Sequence, residues 1–77
     1  MKAILVKADD WQGMFIDGKL DYEGHKISFA ELKDICKHNK LNISDIEEKW
    51  VTDDYYDSYL SRYGSFPSNL SKVKLEN

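Results

Sequence analysis

The dipeptide Asp17-Gly18 lies between two apolar segments and leaves this part of the chain few alternatives to a β-hairpin. A two-residue type I′ turn needs positive φ at both central positions, and Asp-Gly is one of the pairs that adopt it readily. The pair therefore predicts two antiparallel strands, residues 14–16 and 19–22, with the second strand ending at Gly24 and His25.

Another strand is predicted ahead of the hairpin, in the segment KAILVKA, residues 2–8. A short continuous apolar run is typical of a strand inside a sheet. We expect this strand to occupy a central position and to be buried on at least one face.

A helix is predicted over residues 28–38, and it begins at Ser28. The segment SFAE, from Ser28 to Glu31, is a capping box, in which the serine hydroxyl and the glutamate each satisfy a free amide of the first turn. Apolar residues then recur at helical spacing and form one stripe: Phe29, Leu32, Ile35 and Cys36. Asn39 is expected to adopt the left-handed conformation that ends such a helix.

The segment LNISDIEEKWVT admits two interpretations. Alternation places Ile46 and Trp50 on one face of a strand over residues 46–51, although Glu48 on the same face interrupts the apolar pattern. A helix that continues from Ser44 is the alternative. We favour the strand.

A second helix is predicted over residues 53–63, capped by Thr52 or Asp53 and ended by Gly64. Four of its residues share one face and are expected to build core: Tyr56, Tyr59, Leu60 and Tyr63. Tyr55 lies outside this stripe and borders the acidic residues, so we expect it to be exposed.

These elements predict a small α+β domain over residues 1–67, in the order β-β-β-α-β-α. A mostly antiparallel sheet of three or four strands would be covered on one face by the first helix and flanked by the second. The expected core consists of Ile4, Val6, Phe15, Leu20, Leu32, Ile35, Cys36, Trp50, Tyr59 and Leu60. The polar residues 68–77 are expected either to fray or to add a short edge strand.

The length of 77 residues leaves room for one domain. Cys36 is the only cysteine, and a secreted domain of this size would usually need disulfides, so we expect a cytoplasmic protein. No apolar run approaches the roughly 18 residues of a membrane-spanning helix, and the first residues lack the apolar region of a signal peptide.

No group of residues in the sequence indicates catalysis. The nitrogen and sulfur side chains that could hold a metal are His25, Cys36 and His38, and on a helix Cys36 and His38 point about 200° apart, so they cannot share one ion. The paired carboxylates lie in polar runs, where burial does not raise a pKa for acid–base work: Asp9-Asp10, Glu47-Glu48 and Asp53-Asp54. We therefore predict a non-enzymatic protein without a metal or cofactor. A minimal enzyme, which would show as a pocket holding His25 and a carboxylate, is a further possibility.

The net charge of −3 is unevenly distributed. Residues 45–57 contain six acidic residues and one lysine, whereas residues 1–44 are balanced and residues 58–77 carry a net +2. We predict that this region binds a partner protein with a basic surface, through Glu47, Glu48, Asp53, Asp54, Tyr55 and Asp57, with Trp11 as a further contact. The simpler interpretation is a solvated helix face, with Trp11 shielding the core. A nucleic-acid-binding domain using Lys2, Lys7, Lys19 and Lys26 is the alternative function, which the acidic balance disfavours.

Residues 13–28, GMFIDGKLDYEGHKIS, combine an aromatic-Ile-Asp-Gly-Lys-Leu hairpin, a Glu-Gly-His segment and a capped helix start. This arrangement resembles small uncharacterised proteins encoded by bacteriophages and prophages. The resemblance covers the first half of the chain. It implies a compact accessory protein of the kind that often acts by binding a host protein, and it implies no site residues.

Overall fold

The hairpin at Asp17-Gly18 is part of a four-stranded sheet in a computed structural model that describes residues 2–76. The strands are β1 (Ala3–Lys7), β2 (Gln12–Ile16), β3 (Lys19–Gly24) and β4 (Ile46–Trp50), in the order β3-β2-β1-β4. The β1–β2 and β2–β3 pairings are antiparallel, whereas β4 lies parallel to β1. The predicted α+β class is confirmed, and the sheet is mostly antiparallel with one parallel pair.

Two helices accompany the sheet. The first, α1, is Phe29–Asn39; the second, α2, is a continuous helix made of Asp53–Tyr55, Tyr56–Leu60 and Ser61–Tyr63. Single 3₁₀ turns lie at Ile43–Asp45 and Leu70–Lys72. None of the helices within residues 2–76 combines the length and the apolar character needed to cross a membrane.

The central strand β1 is buried on both faces. Because side chains alternate along a strand, Ala3 and Leu5 contribute to the apolar cluster under α1, while Ile4 and Val6 contribute to a cluster on the opposite face. The cluster under α1 also contains Met14, Ile27 and Ile35. The opposite cluster also contains Ala8, Phe15, Val51, Tyr55, Leu60, Phe66 and Val73. The molecule therefore has three layers, with α1 on one side of the sheet and α2 with the C-terminal residues on the other.

The start of α1 is the predicted capping box. The amide of Glu31 donates to Ser28 Oγ at 3.2 Å, and the amide of Ser28 donates to Glu31 Oε1 at 3.0 Å. The end of α1 differs from the prediction, because Lys40 and not Asn39 adopts the left-handed conformation, with φ 57°. Asn39 remains helical, and its side-chain amide donates to the carbonyl of Ile35 at 2.9 Å.

The strand interpretation of residues 46–51 is confirmed for Ile46–Trp50, but the prediction that Trp50 is a core residue is wrong. The parallel register pairs Trp50 with Lys7 at the end of the sheet, beyond the residues that α1 covers, and its side chain is 46% exposed. Most of the other expected core residues are buried: Ile4, Val6, Phe15, Ile35, Cys36 and Leu60. Leu20, Leu32 and Tyr59 are half-buried and pack against the clusters.

Helix α2 begins as predicted, with Thr52 Oγ1 accepting a hydrogen bond from the amide of Tyr55 at 3.2 Å. Its middle turn, however, is π-helical, and the amide of Ser61 donates to the carbonyl of Tyr56. A π turn holds one more residue than an α turn, so residues five apart share a face. Tyr55 and Leu60 are consequently both buried, and the prediction that Tyr55 is exposed is wrong. Tyr63, expected in the core, is 63% exposed.

The C-terminal residues run across the sheet from one edge to the other. Asn69 pairs with Lys19 on β3, and Leu75 pairs with Val51, the residue after β4. Between these points Val73 is buried in the core. The segment therefore closes the face opposite α1. Met1 and Asn77, the first residue of the predicted domain and the last of the predicted tail, lie outside the described residues.

Gly13 on β2 provides the space for Phe66, whose ring also packs edge-to-face on Phe15 at a centroid distance of 5.7 Å. A Cβ at position 13 would lie 2.5 Å from Phe66 Cδ2. We predict that Gly13→Ala lowers the free energy of unfolding by about 1–3 kcal/mol, because the ring must leave its position or the strand must shift.

Urea unfolding followed by circular dichroism measures this effect, and Gly24→Ala is the matched control. Gly24 lies at the end of β3 with no atom within 4 Å of an added Cβ. Its substitution should change stability by less than about 1 kcal/mol. Equal effects of the two substitutions would contradict the role assigned to Gly13.

Candidate functional site

The carboxyl ends of the parallel strands β1 and β4 border a cleft of about 390 Å³. Ala8 and Asp9 follow β1, Val51 follows β4, and Asp53 begins α2, so three chain segments meet there. This is the edge at which parallel strands generally present ligand sites, because the chain leaves each strand there in a loop. The fold therefore brings together side chains that are more than forty residues apart in the sequence.

Four carboxylates line this cleft, and we call it the acidic cleft: Asp9, Asp53, Asp57 and Glu76, with Trp50 and Tyr56 as its aromatic walls. All four acidic residues are exposed, and no lysine or arginine within residues 2–76 lines the cleft. Like charges around a concave surface reinforce one another and create a negative potential. Within residues 2–76, no group of three or more His, Cys, Asp or Glu side chains is arranged to hold a metal ion. The four carboxylates therefore give the acidic cleft a negative surface.

One cation close to Trp50, Lys7, forms an ion pair with a carboxylate outside the acidic cleft. Lys7 Nζ lies 3.8 Å from Glu48 Oε1 and 5.5 Å from the centroid of the Trp50 ring. Lys7 therefore neutralises part of the charge of Glu48 and leaves the carboxylates of the acidic cleft unpaired by it.

The predicted contact residues are distributed unequally around this site. Asp53 and Asp57 line the acidic cleft, and Glu48 lines a smaller groove of about 270 Å³ beside it, together with Lys49, Trp50 and Glu76. Glu47 and Asp54 are exposed but line neither. Tyr55 is only 5% exposed, so it offers no surface to a partner.

Trp11, the remaining predicted contact residue, belongs to a different surface. It is half-buried, and its Nε1–H donates to Glu23 Oε1 at 2.8 Å. The amide of Phe66 donates to the same carboxylate oxygen at 2.9 Å. Glu23 therefore links the indole and the C-terminal segment. The rings of Trp11 and His25 pack in a T-shaped arrangement at a centroid distance of 5.0 Å.

A second cleft, of about 360 Å³, opens beside Trp11, and we call it the aromatic cleft. Its walls include Asp10, Trp11, His25, Tyr56, Leu60 and Gly64. Tyr56 lines both clefts, and its hydroxyl donates to Asp10 Oδ1 at 2.9 Å. This hydrogen bond, followed by desolvation and the neighbouring negative charges, raises the pKa of Tyr56 above its ordinary value.

Sequence reasoning missed three acidic residues of these clefts, Asp9, Asp10 and Glu76. A signal existed for the first two, because they directly follow a strand predicted to be central. No local signal marks Glu76, which reaches the acidic cleft only because Leu75 pairs with Val51.

Within residues 2–76, Tyr55 is the only residue with a buried polar side-chain atom that lacks a hydrogen-bond partner. Its hydroxyl has no hydrogen-bond partner, and its ring stacks on that of Tyr59 at a centroid distance of 5.2 Å. Desolvation, with a smaller contribution from Tyr59, raises the pKa of Tyr55 to about 12.

Comparisons with known proteins identify no relative of this chain: no family model, no curated protein and no solved structure matches it.

We predict that Tyr55→Phe raises the free energy of unfolding by up to about 1 kcal/mol, because it removes a desolvated hydroxyl that makes no hydrogen bond. Tyr56→Phe is the matched control, since it removes the same atom from a tyrosine whose hydroxyl donates to Asp10. It should lower the stability instead. Urea unfolding of both variants measures the difference, and a loss of stability in Tyr55→Phe would show that its hydroxyl is satisfied in solution.

The raised pKa of Tyr55 predicts a pH dependence of stability. Above pH 10 the unfolded chain loses the phenolic proton while the folded chain retains it, so folding becomes less favourable as the pH rises from 10 through about 12. Below pH 10 the folded and the unfolded chain both keep this proton, so Tyr55 causes no pH-dependent loss of stability there. The gap in free energy of unfolding between Tyr55→Phe and the wild type should therefore widen between about pH 9 and 11.5. A constant gap would contradict the assigned pKa.

Proposed function

We propose that this protein is a non-enzymatic interaction module that binds a basic surface of another protein through the acidic cleft and its rim. The observation that carries the proposal is the convergence of four exposed carboxylates on one cleft, which no cationic side chain of the described residues lines. Water and counterions can satisfy such a cleft in the free protein. A partner with a basic surface releases this water and these counterions when it binds, and its own cationic groups then pair with the carboxylates. The negative field of the cleft also raises the rate at which such a partner associates.

Trp50 supports the proposal, because it adds apolar contact area to a charged surface. Its ring is 46% exposed at the wall of the acidic cleft, and it belongs to neither apolar cluster of the core. Tryptophan is enriched among the residues that dominate binding free energy at protein interfaces. Charge would thus orient the partner, and Trp50 would supply much of the affinity.

The alternative, a nucleic-acid-binding domain, lacks such an observation. Lys2 and Lys19 lie at the hairpin-turn end of the sheet, whereas Lys7 and Lys26 lie at the opposite end. The central strand β1 is buried on both faces, so this strand offers no open surface within residues 2–76 on which bases could stack.

The proposal can be tested by a pull-down from the cytoplasm of the source cell, in which the wild-type protein is compared with charge-neutralised variants. We predict that Asp53→Asn/Asp57→Asn weakens capture of a specific partner by about tenfold or more, since it removes two of the four carboxylates of the acidic cleft. Raising the salt concentration should weaken capture by the wild type.

The matched control is Asp21→Asn/Asp34→Asn, which removes the same charge from exposed positions outside the acidic cleft. It should leave capture within about twofold of the wild type, because screened surface charges at a distance contribute little. If both double variants capture the partner equally well, the proposed binding surface is wrong. An electrophoretic shift of nucleic acid with a steep salt dependence would favour the alternative.

A further inference from the structure

The aromatic cleft is a second candidate site, and its chemistry differs from that of the acidic cleft. Its volume of about 360 Å³ falls within the usual range for small-ligand sites. Three aromatic side chains and one carboxylate contribute to its walls: Trp11, His25, Tyr56 and Asp10. In the part of the chain that the structure describes, no lysine or arginine lines it.

The π turn of α2 builds one wall of this cleft. Tyr56 and Ser61 are joined by the hydrogen bond that defines the π turn, and both line the cleft together with Leu60. In an ideal α-helix, residues five apart would point in different directions. A π turn packs less favourably than an α turn and occurs frequently at functional sites. Here the extra residue turns Tyr56 and Ser61 toward the same space.

The groups that remain free in the cleft are hydrogen-bond acceptors. Asp10 Oδ1 accepts from the Tyr56 hydroxyl, which leaves Oδ2 for a ligand. His25 Nδ1 lies 3.2 Å from the carbonyl oxygen of Asp10, so the tautomer that donates from Nδ1 leaves Nε2 as a second acceptor. The donors are already engaged, because Trp11 Nε1–H bonds to Glu23 and the Ser61 hydroxyl donates to the carbonyl of Asp57 at 2.8 Å.

We propose that the aromatic cleft binds an alkylammonium group, which is a protonated amine on an apolar stem. The N–H donors of such a ligand match the free acceptors of Asp10 and His25, and its positive charge suits the carboxylate and the aromatic rings. Leu60 and the rings of Trp11 and Tyr56 would contact the stem. The proposal does not depend on a partner at the acidic cleft. Its ligand could be a free amine or the side chain of a lysine in another protein.

Butylammonium is the first probe, and butan-1-ol is its neutral counterpart of nearly the same shape. Titration of the ¹⁵N-labelled protein, followed by two-dimensional NMR, reports on the indole N–H of Trp11 and the amide of Gly64. The indole of Trp50, which lines the acidic cleft, is the internal control. We expect butylammonium to cause saturable shifts at Trp11 and Gly64, with a Kd on the order of 1–10 mM. Butan-1-ol should bind more weakly than butylammonium by about tenfold or more.

Asp10→Asn tests the carboxylate, because the asparagine oxygen can still accept from Tyr56. It should weaken butylammonium binding by about tenfold, whereas Asp53→Asn in the acidic cleft should change it less than about threefold. No shift at Trp11 or Gly64 up to about 50 mM amine would overturn the proposal. Equal affinity for butan-1-ol, or unchanged binding in Asp10→Asn, would overturn it as well. The comparison with butan-1-ol uses the unaltered protein, so it holds even where a variant folds poorly.

Nα-acetyl-lysine N-methylamide distinguishes the two sources of the amine. Binding as tight as that of butylammonium would support a lysine side chain of a partner, since the cleft then admits the attached backbone. If Nα-acetyl-lysine N-methylamide binds more weakly than butylammonium by about tenfold or more, the result supports a free amine as the ligand. If neither amine shifts Trp11, the aromatic cleft is not a site for this chemistry.

Discussion

The pairing of β1 with both β2 and β4 is the constraint on which the rest of the structure depends. It places Ala3, Ile4, Leu5 and Val6 in the centre of the sheet, where each face needs a cover. One helix covers one face, and the other face is closed by α2 and the C-terminal residues. A domain of this size buries a limited share of its surface. Because β1 contributes side chains to both clusters, a few apolar residues of one strand stabilise both faces of the sheet.

The same parallel pairing creates the acidic cleft. Because β1 and β4 run in one direction, the loops that follow them leave the sheet at the same edge, and α2 starts there. Asp9 and Asp53 are thereby brought to one cleft, with Tyr56 forming a wall shared with the aromatic cleft. Two clefts of different composition thus lie on either side of one tyrosine: four carboxylates line the acidic cleft, whereas three aromatic rings and one carboxylate line the aromatic cleft.

Much of the local structure was predictable from the residues, because its causes are local. The Asp17-Gly18 turn and the Ser28 capping box act over two to four residues, and both occur as predicted. The candidate site was only partly predictable. The acidity of residues 45–57 pointed to Asp53 and Asp57, yet the cleft also needs Asp9 and Glu76 from the two ends of the chain. Helical periodicity failed for Tyr55, because the α spacing does not apply across a π turn.

By itself the sequence determined the class of fold, the central strand, the hairpin and the start of each helix, since turn geometry, capping and apolar periodicity depend on neighbouring residues. Tertiary structure decided the parallel alignment of β4, the exposure of Trp50, the burial of Tyr55 and the position of Glu76. Each of these depends on contacts between segments distant in the chain: Trp50 lies beside Lys7, and Glu76 follows the pairing of Leu75 with Val51. The physical reason is that the burial of a side chain and the shape of a cleft depend on packing between segments that are distant in the sequence. The pattern of neighbouring residues does not contain that information.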